Sequence, residues 1–219
     1  MTRIALIHAL ALTVAPINDA FAQDWPTAIR MNLLDDSLSA DLASNGRGLD
    51  ETMHRRFMSL AEYAVGTGVD AILFTCSAFG PCIDAVARRY TNIPVMKPNE
   101  AMVAQARGGV GKLGLIATFK ATLESMPSEF DPGTELETAL AEGALEALNA
   151  GNGELHDSLV ARQAQRLRDR GCTRIALAQF SMARARSACE LASGLPVLTT
   201  VDSAVSALRL RLSTTPLTL

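Results

Sequence analysis

The sequence lacks several features that would assign it to a common functional class. Its four cysteines form no C-x-x-C pair, which fits a reducing compartment better than a disulfide framework. It has no apolar stretch of about twenty residues, so it is not expected to span a membrane. The net charge is −3, without the concentrated positive field that binding to nucleic acid requires. The chain has no low-complexity segment, and 48% hydrophobic and 20% charged residues are typical of a soluble globular protein.

The start of the chain resembles a secretory signal, because Arg3 precedes an apolar run and Ala20-Phe21-Ala22 has the form of a cleavage site. Helix-breaking Pro16 and the polar pair Asn18-Asp19 argue against that interpretation. Residues 3–7 instead predict a buried strand. We therefore expect a cytoplasmic protein.

Short apolar runs alternate with helical patterns along the whole chain, which is typical of parallel strands covered by crossover helices. The predicted fold class is α/β. Strands are predicted at residues 3–8, 28–34, 71–75, 94–97, 112–118, 174–178 and 196–200. Helices are predicted at residues 50–68, near residue 81, from the capping box at 134–137 to Gly151, and at 157–170.

Three segments of the sequence occur twice. Residues 3–8 match 112–117 at an offset of 109, residues 68–79 match 171–182 at 103, and residues 93–95 match 195–197 at 102. We therefore predict two pseudo-twofold-related halves, 1–98 and 99–219, each a mainly parallel sheet flanked by helices. A C-terminal helix at 203–213 is expected to pack on the first half. The site is expected in the cleft where the carboxyl ends of equivalent strands face each other.

Cys76 lies at a corner between a predicted strand and a helix that begins near Pro81. Free N–H groups and the helix dipole at such a corner favour a bound carboxylate and can lower the pKa of a thiol. The alternative is that Cys76 is a small buried hydrophobic residue. The duplication favours a functional role, because it places a second corner at Gln179.

The two corners resemble those of the aspartate/glutamate/hydantoin racemase superfamily, and the resemblance covers nearly the whole chain. It rests on Leu73-Phe74-Thr75-Cys76-Ser77-Ala78, Leu113-Gly114-Leu115-Ile116-Ala117-Thr118 and Leu177-Ala178-Gln179-Phe180-Ser181-Met182-Ala183. The resemblance implies two cysteines on opposite faces of a carbon next to a carboxylate, one removing the proton and the other returning it. It implies no cofactor, since amides and hydroxyls stabilise the carbanion.

The sequence departs from this pattern at the second corner, where Gln179 replaces the cysteine. A glutamine amide cannot exchange a proton near neutral pH, so only Cys76 remains of the catalytic pair. His8-Ala9-Leu10 and Gln179-Phe180-Ser181 replace the Asp-Ser-Gly and Cys-Thr-His of glutamate racemases. The chain is closer to the hydantoin racemase and arylmalonate decarboxylase branch, whose decarboxylases keep one cysteine in the other half.

Further substrate-binding residues are expected around the corners. The resemblance assigns the substrate carboxylate to Thr118, whereas Thr122 is one residue beyond the usual Thr-x-x-Thr spacing. Backbone N–H groups at the two predicted helix starts are expected to hold the carboxylate. Hydroxyls there could also bind it, although helix capping is the alternative. The candidates for N–H groups are Ser77, Ala78, Ser181 and Met182, and of these Ser77 and Ser181 also carry a hydroxyl.

The remaining reactive residues have simpler interpretations. Cys82, Cys172 and Cys189 are expected to pack in the interior, and Phe79 and Met182 to form a pocket wall or fill the core. His8, His54 and His156 have no mutual spacing for a metal site. His156-Asp157 is interpreted as a helix cap, although His156 could reach the cleft. Residues 108–112 resemble a phosphate loop but precede a strand, so they are interpreted as a turn.

The expected protein is a cofactor-independent enzyme that transfers a proton at a carbon next to a carboxylate, with Cys76 active and Gln179 at the second position. Two alternatives stay open: an arylmalonate-type decarboxylase with one-sided protonation, and a non-catalytic protein that binds a small carboxylate. No metal or organic cofactor is expected. The expected partners are a small carboxylate substrate and further copies of the chain in a homo-oligomer.

Overall fold

The computed structural model describes residues 1–44 and 46–214, which divide into two compact units. The first unit comprises Met1–Pro98 and the chain from Ala204 onward, and the second comprises Asn99–Ser203. None of the helices in these ranges is long and apolar enough to cross a membrane.

The first unit is built on a parallel sheet of four strands in the order β2-β1-β3-β4. The strands are β1 Arg3–His8, β2 Ile29–Leu34, β3 Ala71–Phe74 and β4 Val95–Met96. The helices are α1 Val14–Asp24, α2 Ser37–Ser44, α3 Glu51–Gly66 and α4 Gly80–Arg89. Strands β1 and β3 occupy the centre of the sheet and are buried almost throughout, which accounts for their nearly continuous apolar sequences.

The second unit contains a sheet of the same kind, in the order β6-β5-β7-β8. Its strands are β5 Leu113–Ala117, β6 Leu136–Leu140, β7 Arg174–Leu177 and β8 Val197–Thr199. Its helices are α5 Glu100–Arg107, α6 Lys120–Ser125, α7 Ala144–Asn149, α8 Gly153–Asp169 and α9 Arg186–Ser193. The last helix, α10 Thr200–Thr214, begins in this unit and continues in the first.

Both faces of the second sheet are covered. Along β5, Ile116 belongs to one apolar cluster, whereas its neighbours Leu115 and Ala117 belong to another. Alternate residues of a strand point to opposite faces, so the two clusters lie on the two sides of the sheet. The predicted α/β class, with two mainly parallel sheets flanked by helices, is confirmed.

The sequence prediction is wrong between residues 134 and 151. The capping box predicted one helix there, but Leu136–Leu140 form the edge strand β6, paired in parallel with β5, and a short helix, α7, follows. Side-chain capping is a local signal, whereas the backbone of an extended segment can form hydrogen bonds along a complete neighbouring strand. The tertiary pairing therefore overrides the local preference. Gly151 does follow a helix end, with a positive φ of 76°.

Candidate active site

The Cys76 corner has the predicted form. Strand β3 ends at Phe74, Cys76 keeps an extended backbone, and one 3-10 turn at Ser77–Phe79 leads into α4. Pro81 lies in the first turn of α4, where its missing N–H costs nothing. Phe57 of α3 packs against residues on both sides of the corner. Its ring centroid lies 5.3 Å from that of Phe74 and 4.8 Å from that of Phe79.

The Cys76 thiol is partly exposed and lies in a mostly apolar recess that is also lined by Ala9 and Leu38. Burial raises the pKa of this thiol, because an apolar surrounding disfavours the thiolate. Two hydrogen bonds act in the opposite direction, one from the backbone N–H of Ala78 and one from the hydroxyl of Ser39 in α2. The resting group is therefore a protonated thiol whose thiolate has two donors already in place.

His8 lies at the carboxyl end of β1 and lines the same recess as Cys76. It is fully buried, and burial lowers the pKa of its imidazole. Nε2 lies 3.0 Å from Oδ1, the side-chain amide oxygen of Asn32. This oxygen can only accept a hydrogen bond, so Nε2 carries the hydrogen. Nδ1 lies 3.0 Å from the hydroxyls of both Thr13 and Thr75. Because the Thr13 hydroxyl donates to a backbone carbonyl at 2.8 Å, a donor to Nδ1 can only be the Thr75 hydroxyl, which also lies 2.9 Å from the Thr13 oxygen and 3.4 Å from the Ile7 carbonyl. A neutral His8 thus orients the residue directly before Cys76.

The second corner repeats this backbone. Strand β7 ends at Leu177, Gln179 is extended, and a 3-10 turn at Phe180–Ala185 leads into α9. The side-chain oxygen of Gln179 accepts hydrogen bonds from the backbone N–H of Thr118 at 2.7 Å and from its hydroxyl at 3.0 Å. This oxygen occupies the Thr118 hydroxyl, which was predicted to bind the substrate carboxylate. A ligand that uses Thr118 must displace Gln179.

The other predicted anchors differ in how open they are. Ser77 and Ala78 are exposed, although the Ala78 N–H already bonds the Cys76 sulfur. Ser181 is 8% exposed, and Met182 is fully buried in an apolar cluster. The N–H of Met182 donates to the Gln179 carbonyl at 3.0 Å within the 3-10 turn, so it is not an open donor for a carboxylate. Of the two roles predicted for the Met182 side chain, core filling is the one observed.

The interpretation of His156-Asp157 as a helix cap is wrong. Helix α8 begins at Gly153, and its cap is Asn152, which accepts from the N–H of Leu155 at 3.1 Å. Nδ1 of the fully buried His156 instead lies 2.8 Å from the Asp157 carboxylate. Among the residues described, Nε2 of His156 has no hydrogen-bond partner.

The same Asp157 carboxylate accepts from Arg184 at 2.9 Å, and Arg184 belongs to the turn that follows Gln179. The amino end of a crossover helix lies at the carboxyl edge of its sheet, so His156 and Gln179 lie at the same edge of the second unit.

The three other cysteines, Cys82, Cys172 and Cys189, are buried. Burial raises the pKa of all three, to about 11 for Cys82 and to about 12 for Cys189. Their thiols are therefore unreactive near neutral pH, in agreement with the predicted packing role. Thr122 is also nearly buried, in α6.

Sequence reasoning did not identify Ser39, Thr13, Thr75 or Asn32 as parts of the site. Thr75 belongs to the motif around Cys76 but was given no role, and no motif marks the other three, which are small polar residues in ordinary segments. The position of Ser39, two residues after the start of α2, is informative only once the fold brings that helix to the thiol. The prediction that Cys76 and Gln179 face each other across a cleft stays a prediction.

Comparison with known proteins agrees with this architecture. Among solved structures, the chain is similar to allantoin racemase from Klebsiella pneumoniae, with a TM-score of 0.72 and 16% identity over 97% of this chain and 88% of that one. An aspartate racemase homologue from Pyrococcus horikoshii has a TM-score of 0.73 and 15% identity, covering 97% and 100% of the two chains. Glutamate racemase from Thermus thermophilus has a TM-score of 0.70 and 20% identity, covering 97% and 80%. At such low identity these likenesses show a shared fold.

No curated protein matches the sequence. Residues 17–208, however, match the family described as Asp/Glu/Hydantoin racemase. The fold is thus that of the racemases, and the chain belongs to the Asp/Glu/hydantoin racemase family.

Proposed function

We propose that the protein is a cofactor-independent enzyme in which the Cys76 thiol transfers a proton at a carbon next to a carboxylate. The observation that carries this proposal is the Cys76 corner, where two hydrogen-bond donors meet the sulfur of a partly exposed cysteine. Such donors stabilise the thiolate that remains after the proton has left. A cysteine that only fills the core needs neither donor.

The direction of transfer follows from the resting state of the thiol. Since burial raises the pKa of Cys76, the thiol holds its proton at neutral pH and is ready to donate it to a planar, enolate-like intermediate. The thiolate that results can take a proton back from the same face of the carbon. Exchange of a substrate proton therefore begins from the minor thiolate form of Cys76, which removes the proton and, after exchange with solvent, returns a deuteron to the same face of the carbon. Racemisation also requires a base on the other face.

Gln179 supplies no such base, because a carboxamide does not ionise near neutral pH and its oxygen is bonded to Thr118. This observation favours a second candidate function, decarboxylation of a malonate-type acid followed by protonation on one face. A single catalytic cysteine also fits the branch of hydantoin racemases and arylmalonate decarboxylases, to which we assign the chain within the family.

The test is proton exchange in deuterated water. The panel consists of aspartate, glutamate, allantoin, a 5-substituted hydantoin and phenylmalonate, with deuterium at the reacting carbon followed by NMR and release of CO₂ followed in parallel. We expect activity on at least one compound, and we expect Cys76→Ser to abolish it. Cys172→Ser is the matched control, because it removes a buried thiol of the second unit and should leave the activity intact.

The outcomes separate the candidate functions. Deuterium exchange without release of CO₂ supports an isomerase, and release of CO₂ with a single enantiomer as product supports the decarboxylase. Activity that survives in Cys76→Ser would contradict the assignment of the thiol. Tight binding of a panel compound without turnover would instead identify a carboxylate-binding protein.

A further inference from the structure

A cavity of about 450 Å³ lies within the second unit. Its walls come from the loop before β5, from residues 131–135 before β6, and from Arg174, the first residue of β7. All three segments precede strands, so the cavity lies at the amino edge of the sheet. Thr118 and Gln179 follow strands and lie at the opposite edge. The volume is within the range of pockets that bind small molecules.

Arg174 is the unusual residue of this cavity. It is only 9% exposed, yet no ion pair joins it to a carboxylate among the residues that the structure describes. Nη1 donates to the carbonyl of Ala106, whereas Nε is buried without a hydrogen-bond partner. A buried cation without a counter-charge is unfavourable, because it has lost hydration and gained no opposite charge. An anion bound in the cavity would supply that opposite charge.

The guanidinium offers one open group to an oxyanion. Nη1 is occupied by Ala106 and Nε is shielded from solvent, which leaves Nη2 as the donor that can face the cavity. A charged N–H donor binds an oxygen of a carboxylate or a phosphate more strongly than a neutral donor does. The guanidinium itself fits here because residue 109 is a glycine: a Cβ there would lie 2.0 Å from Nη1 and would force Arg174 to move.

The other charges around the cavity are neutralised or screened, so they favour an anion less than Arg174 does but do not exclude it. Arg107 forms an ion pair with Asp131 at 3.1 Å, and both side chains are more than half exposed, so they neutralise each other at the rim. Glu135 is exposed to solvent, which screens its charge. One buried positive charge, that of Arg174, is left to attract a ligand.

We propose that this cavity is a second binding site, in which Arg174 holds the carboxylate or phosphate group of a small molecule. The site is distinct from the Cys76 and Gln179 corners and does not depend on the reaction at Cys76. The loop at residues 108–112, interpreted as a turn from its sequence, then has a function as the wall that leaves room for the Arg174 guanidinium.

The test is a titration of the full chain with inorganic phosphate and, separately, with acetate, followed by calorimetry and by thermal unfolding. We expect one of the two to bind saturably and to raise the unfolding temperature. Saturation with phosphate alone would indicate a phosphorylated ligand, and saturation with acetate alone a carboxylic acid.

Arg174→Gln should weaken this binding by about tenfold or more, because it removes the charge that attracts the anion. Arg162→Gln is the matched control, since it removes an exposed cation of the same unit that does not line the cavity and should leave the affinity within about twofold. Thr118→Val should also keep it, which separates this site from the opposite edge of the sheet. If Arg174→Gln does not fold, Gly109→Ala displaces the guanidinium instead and should cause the same loss.

Two results would overturn the proposal. One is the absence of saturable binding of either anion to the unmodified protein. The other is an affinity that is unchanged in a folded Arg174→Gln or Gly109→Ala variant.

Discussion

Replacing Ser39 with alanine tests whether the corner is built to support the Cys76 thiolate. The substitution removes one of the two hydrogen bonds that oppose the effect of burial, so the pKa of Cys76 should rise further. A hydrogen bond to a charged group contributes about 1.5–3 kcal/mol, and the low end applies here because sulfur is a weak acceptor. About 1.5 kcal/mol corresponds to a roughly tenfold smaller fraction of thiolate at a given pH.

The assay is alkylation of Cys76 by iodoacetamide, followed by the mass of the peptide that contains it, between about pH 7 and 10. The curve of rate against pH should shift to higher pH in Ser39→Ala. Ser77→Ala is the control, since Ser77 adjoins Cys76 but forms no hydrogen bond with its sulfur. An unchanged curve in Ser39→Ala, or an equal shift in Ser77→Ala, would refute the reasoning. The three buried cysteines should react far more slowly in all variants.

Three further predictions concern the two corners. Gln179→Cys should convert a single-enantiomer product into a racemate, measured by chiral chromatography, because it supplies an ionisable group at the second corner; a racemic product from the unmodified protein would contradict this. Because burial lowers the pKa of His8, this imidazole binds a proton at a higher pH in the unfolded chain than in the folded chain. As the pH falls below about 6.5, the free energy of unfolding should therefore decrease, by at most about 1.4 kcal/mol per pH unit. That dependence should disappear in His8→Gln but persist in His54→Gln when unfolding temperatures are compared. Phe57→Ala should cost about 3–5 kcal/mol in urea unfolding, since its buried ring supports the Cys76 corner, and a loss below about 1 kcal/mol would show that the ring is not part of a tight core.

Among the described residues, the one strand that the sequence prediction missed could have been found from the internal repeat. Strand β2 begins at Ile29 and β6 at Leu136, an offset of 107, which lies between the offsets of the matches already recognised. The capping box concealed this strand because a local pattern was given more weight than the repeat. Edge strands are partly exposed, and their sequences therefore lack the continuous apolar run that identified β1, β3, β5 and β7.

The sequence alone determined the fold class, the central strands of both sheets and the corners at Cys76 and Gln179. These follow from local properties, since a buried parallel strand must be apolar along its length and a corner comes directly after it.

Only the tertiary structure decided which groups surround the corners. The contact between Gln179 and Thr118 joins residues 61 positions apart, and that between His8 and Thr75 joins residues 67 apart. The cavity at Arg174 likewise brings together three segments that precede different strands. Such contacts depend on which strands become neighbours in the sheet, and no property of the separate segments records that choice.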